Sequence, residues 1–103
     1  MKSLWHPEAK RAMLYVAHYI QAKFGTKARM EFLSKVRNEE KILRRSPNIG
    51  NIDPLFDDRS IIYRSVIING LNKMVYYVED DTLHIAGFWD TRSEPKAQAS
   101  QVK

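Results

Sequence analysis

Residues 61–89 read IIYRSVIINGLNKMVYYVEDDTLHIAGFW, and the way this stretch divides decides the fold. Ile61 to Ile68 is a run rich in β-branched residues, Asn69-Gly70 is a strong two-residue hairpin turn, and Leu71 to Val78 is a second run. Asp80-Asp81 precedes a third run, Thr82 to Trp89, so three antiparallel strands are predicted. A two-residue turn at Asn69-Gly70 sets Ile68 opposite Leu71, Val66 opposite Lys73 and Arg64 opposite Val75. A like turn at Asp80-Asp81 sets Tyr77 opposite His84 and Tyr76 opposite Ile85. One face then carries Ile67, Met74, Tyr76, Val78, Leu83 and Ile85, with Tyr63, and is apolar enough to receive helices. The reverse carries Arg64, Val66, Lys73, Val75, Tyr77, His84 and Phe88. Cations, rings and a histidine together suit a nucleic-acid platform, and equally a half-exposed sheet face of an unrelated domain.

Upstream the apolar spacing lengthens to that of helices. Ala9, Met13, Val16, Ala17, Ile20 and Phe24 recur at steps of three and four, placing them on one stripe of a helix that starts near Pro7 and ends at Gly25 in a left-handed cap. Thr26 can cap a second helix whose stripe is Ala28, Phe32, Val36 and Leu43, interrupted by Glu39 and closed by Ser46-Pro47. Two amphipathic helices joined this closely pack as an antiparallel hairpin, with both stripes turned toward the sheet. Residues 2–5 form a short strand before Pro7, since the residue preceding proline is pushed to extended geometry. Residues 48–58, rich in Pro, Gly, Asn and Asp, read as an irregular loop. The expected architecture is one α+β domain over residues 1–95, ordered β-α-α-β-β-β, followed by a polar tail over 96–103.

A chain of 103 residues holds one hydrophobic core. With no cysteine it lacks disulfides, thiolate catalysis and Cys-rich zinc sites, and it carries neither a signal-peptide pattern nor an apolar run of membrane-span length. A cytoplasmic location is expected. The net charge of +5 is uneven: residues 1–47 hold eleven Lys/Arg against four Asp/Glu (+7), and residues 48–103 hold six against eight (−2). Such a basic half attracts nucleic acid or an acidic protein segment by the same field, or serves as a solvated surface. His84 can act as a general base near neutrality, although a lone strand histidine more often packs. His6 and His18 lie too far off in the pattern to complete a metal triad, and Asp57-Asp58 and Asp80-Asp81 read as turn formers. No metal and no cofactor is assigned.

Several strings are similar to the RelE/ParE toxin superfamily of type II toxin–antitoxin systems, which includes plasmid stabilisation proteins: Trp5-His6-Pro7-Glu8-Ala9, Tyr19-Ile20 with Phe24-Gly25, Ser46-Pro47-Asn48-Ile49-Gly50, and residues 73–81 followed by Phe88-Trp89-Asp90-Thr91-Arg92 and Pro95. The resemblance implies the same helical hairpin on an antiparallel meander. It also implies that Arg64, Lys73 and Arg92 match cations with which RelE-like mRNA interferases hold message without a metal and stabilise charge on phosphorus. Val66 stands where those nucleases place a further lysine, and no tyrosine follows Arg92. These departures favour the ParE-like branch, whose better-known members poison DNA gyrase. A degenerate, non-toxic binding module is the remaining alternative. The resemblance further implies a cognate antitoxin that wraps the toxin as a hetero-oligomer. Arg11, Leu14, Tyr15, His18 and Tyr19 on the first helix are the candidate landing ground, and the basic front half favours an acidic partner.

Overall fold

The computed structural model describes residues 1–92, 97, 99, 100 and 102. Strand β1 (Lys2–Trp5) leads into α1 (Pro7–Phe24) and α2 (Thr26–Arg45), followed by β2 (Asn51–Ile52), β3 (Arg64–Ile68), β4 (Asn72–Glu79) and β5 (Thr82–Asp90). The five strands form one sheet in the order β1-β5-β4-β3-β2, with β1 parallel to β5 and the other pairs antiparallel. The expected order therefore stands with one addition. The 48–58 loop is organised by two 3₁₀ turns, Pro47–Ile49 and Pro54–Phe56, around the two-residue strand β2. Among the described residues no helix is long and apolar enough to cross a membrane.

Proline suits the first turn of α1, where its missing N–H loses nothing, and Gly25 ends that helix at φ 95° and ψ 176°. The same glycine, not Thr26, stands at the N-cap of α2, and no side chain caps that end. The ψ value also departs from the expected left-handed cap, because one residue must both stop α1 and start α2. Ala9, Met13 and Ala17 of α1 and Phe32, Val36 and Leu43 of α2 are buried as their spacing requires. Phe24 is 70% exposed, because the last turn of α1 runs past the buried layer. Glu40 ties α2 to β1 by accepting hydrogen bonds from Ser3 Oγ, Trp5 Nε1 (2.9 Å) and Arg44 Nη1 (3.2 Å).

Two details of the sheet overturn the predicted faces. Asn69 and Gly70 do take positive φ (60° and 72°), yet Leu71 joins the loop and Ile68 pairs with Asn72, so β4 is shifted by one residue against β3. A one-residue shift exchanges the faces of a whole strand. Here it turns Val66 and Ile68 toward the helices beside Met74 and Tyr76, while Ile67 is left 53% exposed. The Asp80-Asp81 turn is the expected one, with Tyr77 opposite His84 and Tyr76 opposite Ile85. Beyond it Val75 pairs with Gly87, so Ala86 is an extra residue in β5. This bulge lets Ile85 and Phe88 both face the helices, and Phe88 sits edge-on to Phe32 instead of on the reverse face.

The reverse face carries a second cluster of Phe56, Tyr63, Val75, Ala86, Trp89 and Val102. Tyr63, expected beneath the helices, belongs here. Arg59 lies over the Phe56 and Tyr63 rings and donates to the carbonyls of Ala99 and Val102, which fastens the described part of the tail. Ala97, Ala99 and Ser100 are helical; residues 93–96, 98, 101 and 103, on which the rest of the tail expectation and Pro95 fall, lie outside the described residues.

Gly50 is buried where Tyr76 Oη accepts its N–H (3.0 Å) and donates to the Pro47 carbonyl (2.6 Å). Its φ of −72° is open to any residue, but an added Cβ would lie 2.5 Å from that hydroxyl and 2.9 Å from the Ser65 carbonyl oxygen. Gly50→Ala is expected to cost about 2 kcal/mol through overpacking. Urea unfolding checks it, with Gly70→Ala as a contrast whose penalty comes from its φ of 72° in open space.

Candidate functional site

Arg64 and Lys73 were expected to project from one face. The observed register pairs Arg64 with Tyr76 and Lys73 with Ile67, which places the two side chains on opposite faces. Arg64 donates to the carbonyls of Gly50 (2.9 Å) and Asn48 (3.4 Å) and so holds the segment after α2 against the sheet. Lys73 points to the reverse face, where its ammonium lies 2.6 Å from Asp53 Oδ2 and 5.8 Å from the centre of the Trp89 ring. The side chains of this pair are 17% and 3% exposed, and Asp53 Oδ1 also accepts the Leu55 N–H.

Arg92 follows β5 and is 77% exposed, with its guanidinium and its backbone N–H both on the Asp90 carboxylate. Those hydrogen bonds hold the Asp90 carboxyl down at about 2. Asp90 pairs with Asn72, four residues along β4 from the partner of Arg64, or about 13 Å at ~3.3 Å per residue. The three cations occupy two faces and two ends of the sheet. Contrary to expectation, Arg64 and Lys73 share no face, so this pairing lends the toxin reading no support, while the element order remains as described.

His84 lies on the reverse face with its ring stacked on that of Tyr77, 4.6 Å apart and 2° from parallel. The register brings it to His6, which sequence spacing had set aside. His6 Nε2 is 3.2 Å from His84 Nδ1 and 3.4 Å from Tyr77 Oη. Parallel pairing of β1 with β5 makes this contact, because Leu4 lies beside His84 and the chain then turns into α1 at His6. This contact between two imidazoles pins the β1–α1 junction to the sheet. Among the described residues no group of three or more His, Cys, Asp or Glu is placed to hold a metal ion.

Burial first, and then His84, hold the His6 imidazole below its ordinary value, while burial, Tyr63 and Glu79 push the Tyr77 phenol up. A histidine depressed in the folded state is protonated more readily in the unfolded chain, so its contribution falls as pH drops through about 6.5. The urea midpoint is expected to decline below that pH. The decline should be shallower in His6→Gln, and an unchanged profile would show that the imidazole pair carries no such linkage.

An open groove of about 520 Å³ runs between α1 and the far end of the sheet. Tyr15, Tyr19 and Phe24 border it from α1, Phe88 from β5 and Leu71 from the loop between β3 and β4, with Asn69 and the Asp90–Arg92 ion pair at its polar end. Tyr15 is 72% exposed, Tyr19 50% and Leu71 52%. Of the predicted landing residues, Tyr15 and Tyr19 line the groove; Leu14, Arg11 and His18 are exposed on α1 outside its lining. Phe24 and Leu71 were missed. Spacing had assigned one to the core stripe and the other to a strand, and only an exposed helix end and a three-residue loop reveal them.

No family model matches the sequence, and no curated protein matches it. Among solved structures, a chain of the chromosomal ParDE TA system from P. aeruginosa superposes with a TM-score of 0.70 at 13% identity. The match covers 87% of this chain and 95% of that one. The architecture is therefore an α+β fold of the ParE-like kind.

Proposed function

We propose that this chain is the toxin of a bacterial type II toxin–antitoxin pair, ParE-like in action, arresting growth by binding a cytoplasmic target such as DNA gyrase. A cognate antitoxin segment silences it. The observation that carries the proposal is the groove along α1, where Tyr15, Tyr19 and Phe24, each half exposed or more, gather on a chain whose fold is ParE-like. Contiguous exposed apolar surface of this kind marks a protein-interaction site. An amphipathic helix laid into it buries those rings, and an acidic one is favoured by the +7 of residues 1–47.

A binding mechanism is also favoured by the fate of the candidate nuclease residues. Arg64 and Lys73 are turned apart and committed to backbone carbonyls and to Asp53, so they do not converge on one phosphate. An endoribonuclease reading requires that convergence, and a degenerate binding module requires that expression be harmless.

Expression with and without the neighbouring gene separates the three. Growth arrest rescued by the neighbour, accompanied by DNA-cleavage complexes, is the expected result. Cutting of ribosome-bound message that Arg64→Ala abolishes would replace it with the nuclease, and unimpaired growth would leave the non-toxic module. Bound antitoxin is expected to slow amide exchange in α1; equal exchange with and without it would place the partner elsewhere.

A further inference from the structure

The outward face of α2 carries a set of side chains that neither the core nor the groove uses. At 100° per residue, Ser34, Arg37, Asn38, Lys41 and Arg45 all fall on the half of α2 turned away from Phe32, Val36 and Leu43, and all five are exposed. They run over about 17 Å of helix. Their side chains have no hydrogen-bond or ion-pair partner among the described residues. The acids nearby are committed elsewhere or out of reach: Glu40 turns inward to Ser3, Trp5 and Arg44, Glu39 is half-buried, and Glu31 lies a turn earlier.

Solvated helix faces usually alternate signs at i and i+4, and like charges at that spacing cost a few tenths of a kcal/mol per pair. Arg37, Lys41 and Arg45 form two such like-charged steps in succession. A favourable contact with the helix C-terminus accounts for Arg45, in the last turn, but not for Arg37 or Lys41.

We infer that this ridge binds the phosphodiester backbone of duplex DNA. Between Ser34 and Arg45 the ridge holds donors, with the exposed Met30 one turn before it and Ile42 at its edge, whereas a protein partner needs a desolvated apolar centre of the kind that the α1 groove offers. The ridge lacks aromatic rings, on which unstacked single-stranded bases would be held. Ser34 and Asn38, interleaved with the cations, supply the neutral donors that commonly accompany phosphate contacts. The inference stands apart from the toxin reading, since it concerns another face and needs no antitoxin.

The test is fluorescence anisotropy of a labelled 20-base-pair DNA duplex titrated with the full chain at several salt concentrations. Three phosphate contacts weaken binding about 40-fold between 50 and 200 mM salt. Arg37→Gln/Lys41→Gln/Arg45→Gln is expected to make the slope of log affinity on log salt shallower by about three. A control of equal charge loss, Lys2→Gln/Lys10→Gln/Arg11→Gln, is expected to keep the wild-type slope to within one unit, and melting of both variants verifies the fold. The inference is overturned if the two triple variants lose affinity equally, if a single strand of the same sequence binds more tightly than the duplex, or if the ridge variant loses binding of a labelled glutamate-rich peptide but not of DNA.

Discussion

Lys73→Ala is expected to destabilise the protein by about 3 to 5 kcal/mol, the range found when one partner of a buried ion pair is removed. The ammonium is the charge that the described residues offer Asp53 Oδ2, and that carboxylate is 3% exposed, so removing the lysine leaves a buried carboxylate without its counter-charge. Asp53 also organises the 3₁₀ turn at Pro54–Phe56 by accepting the Leu55 N–H, which extends the damage to Phe56 in the reverse-face cluster. Neutralising both groups in Lys73→Met/Asp53→Asn is expected to recover most of the loss, since the buried charge is gone and the cap is retained. Chemical denaturation checks both variants. A Lys73→Ala protein within 1 kcal/mol of wild type would show that the ion pair is dispensable and would reopen a functional role for this lysine.

Alanine at Tyr19 and at Phe24 is expected to weaken antitoxin capture by about 30-fold each, on the order of 2 kcal/mol apiece, the scale of aromatic anchors at interface centres. Both rings are half exposed or more in the free chain, so the urea midpoint should barely move. Arg11→Ala, on α1 but outside the groove, is expected to slow association and raise its salt sensitivity with little change in dissociation. Titration calorimetry and stopped-flow association with the antitoxin segment measure these quantities. Affinities of the two ring variants within threefold of wild type would move the partner to another surface.

Where a single strong local preference acts, reading the chain and folding it agree. Pro7 starts α1, Gly25 separates the helices, and Asp80-Asp81 makes a tight turn in which both residues take positive φ. The Ala9, Met13 and Ala17 spacing and the Phe32, Val36 and Leu43 spacing mark the helical core in the sequence itself. Turns and stripes depend on residues a few positions apart, so they are written locally.

The faces of β3 and of the end of β5 were not legible in this way. Asn69-Gly70 is compatible with two- and three-residue loops, and the choice belongs to whichever register buries more: Val66 and Ile68, not Ile67, pack under the helices. Likewise nothing near Ala86 announces a bulge. It is selected because Ile85 and Phe88 both find room against the helices while Trp89 fills the reverse face, its ring close enough to Gly87 that a Cβ there would lie 2.2 Å away.

Composition and periodicity alone therefore determined an α+β fold, a helical hairpin on a meander, and a basic front half with rings at its first helix. Tertiary structure decided which rings stay in water, which cations are consumed by Asp53 and by the carbonyls of Asn48 and Gly50, and that His6 meets His84. The reason is physical: strand alternation has a period of two, so one residue of shift exchanges every face, and only the competition for burial among distant segments selects the shift.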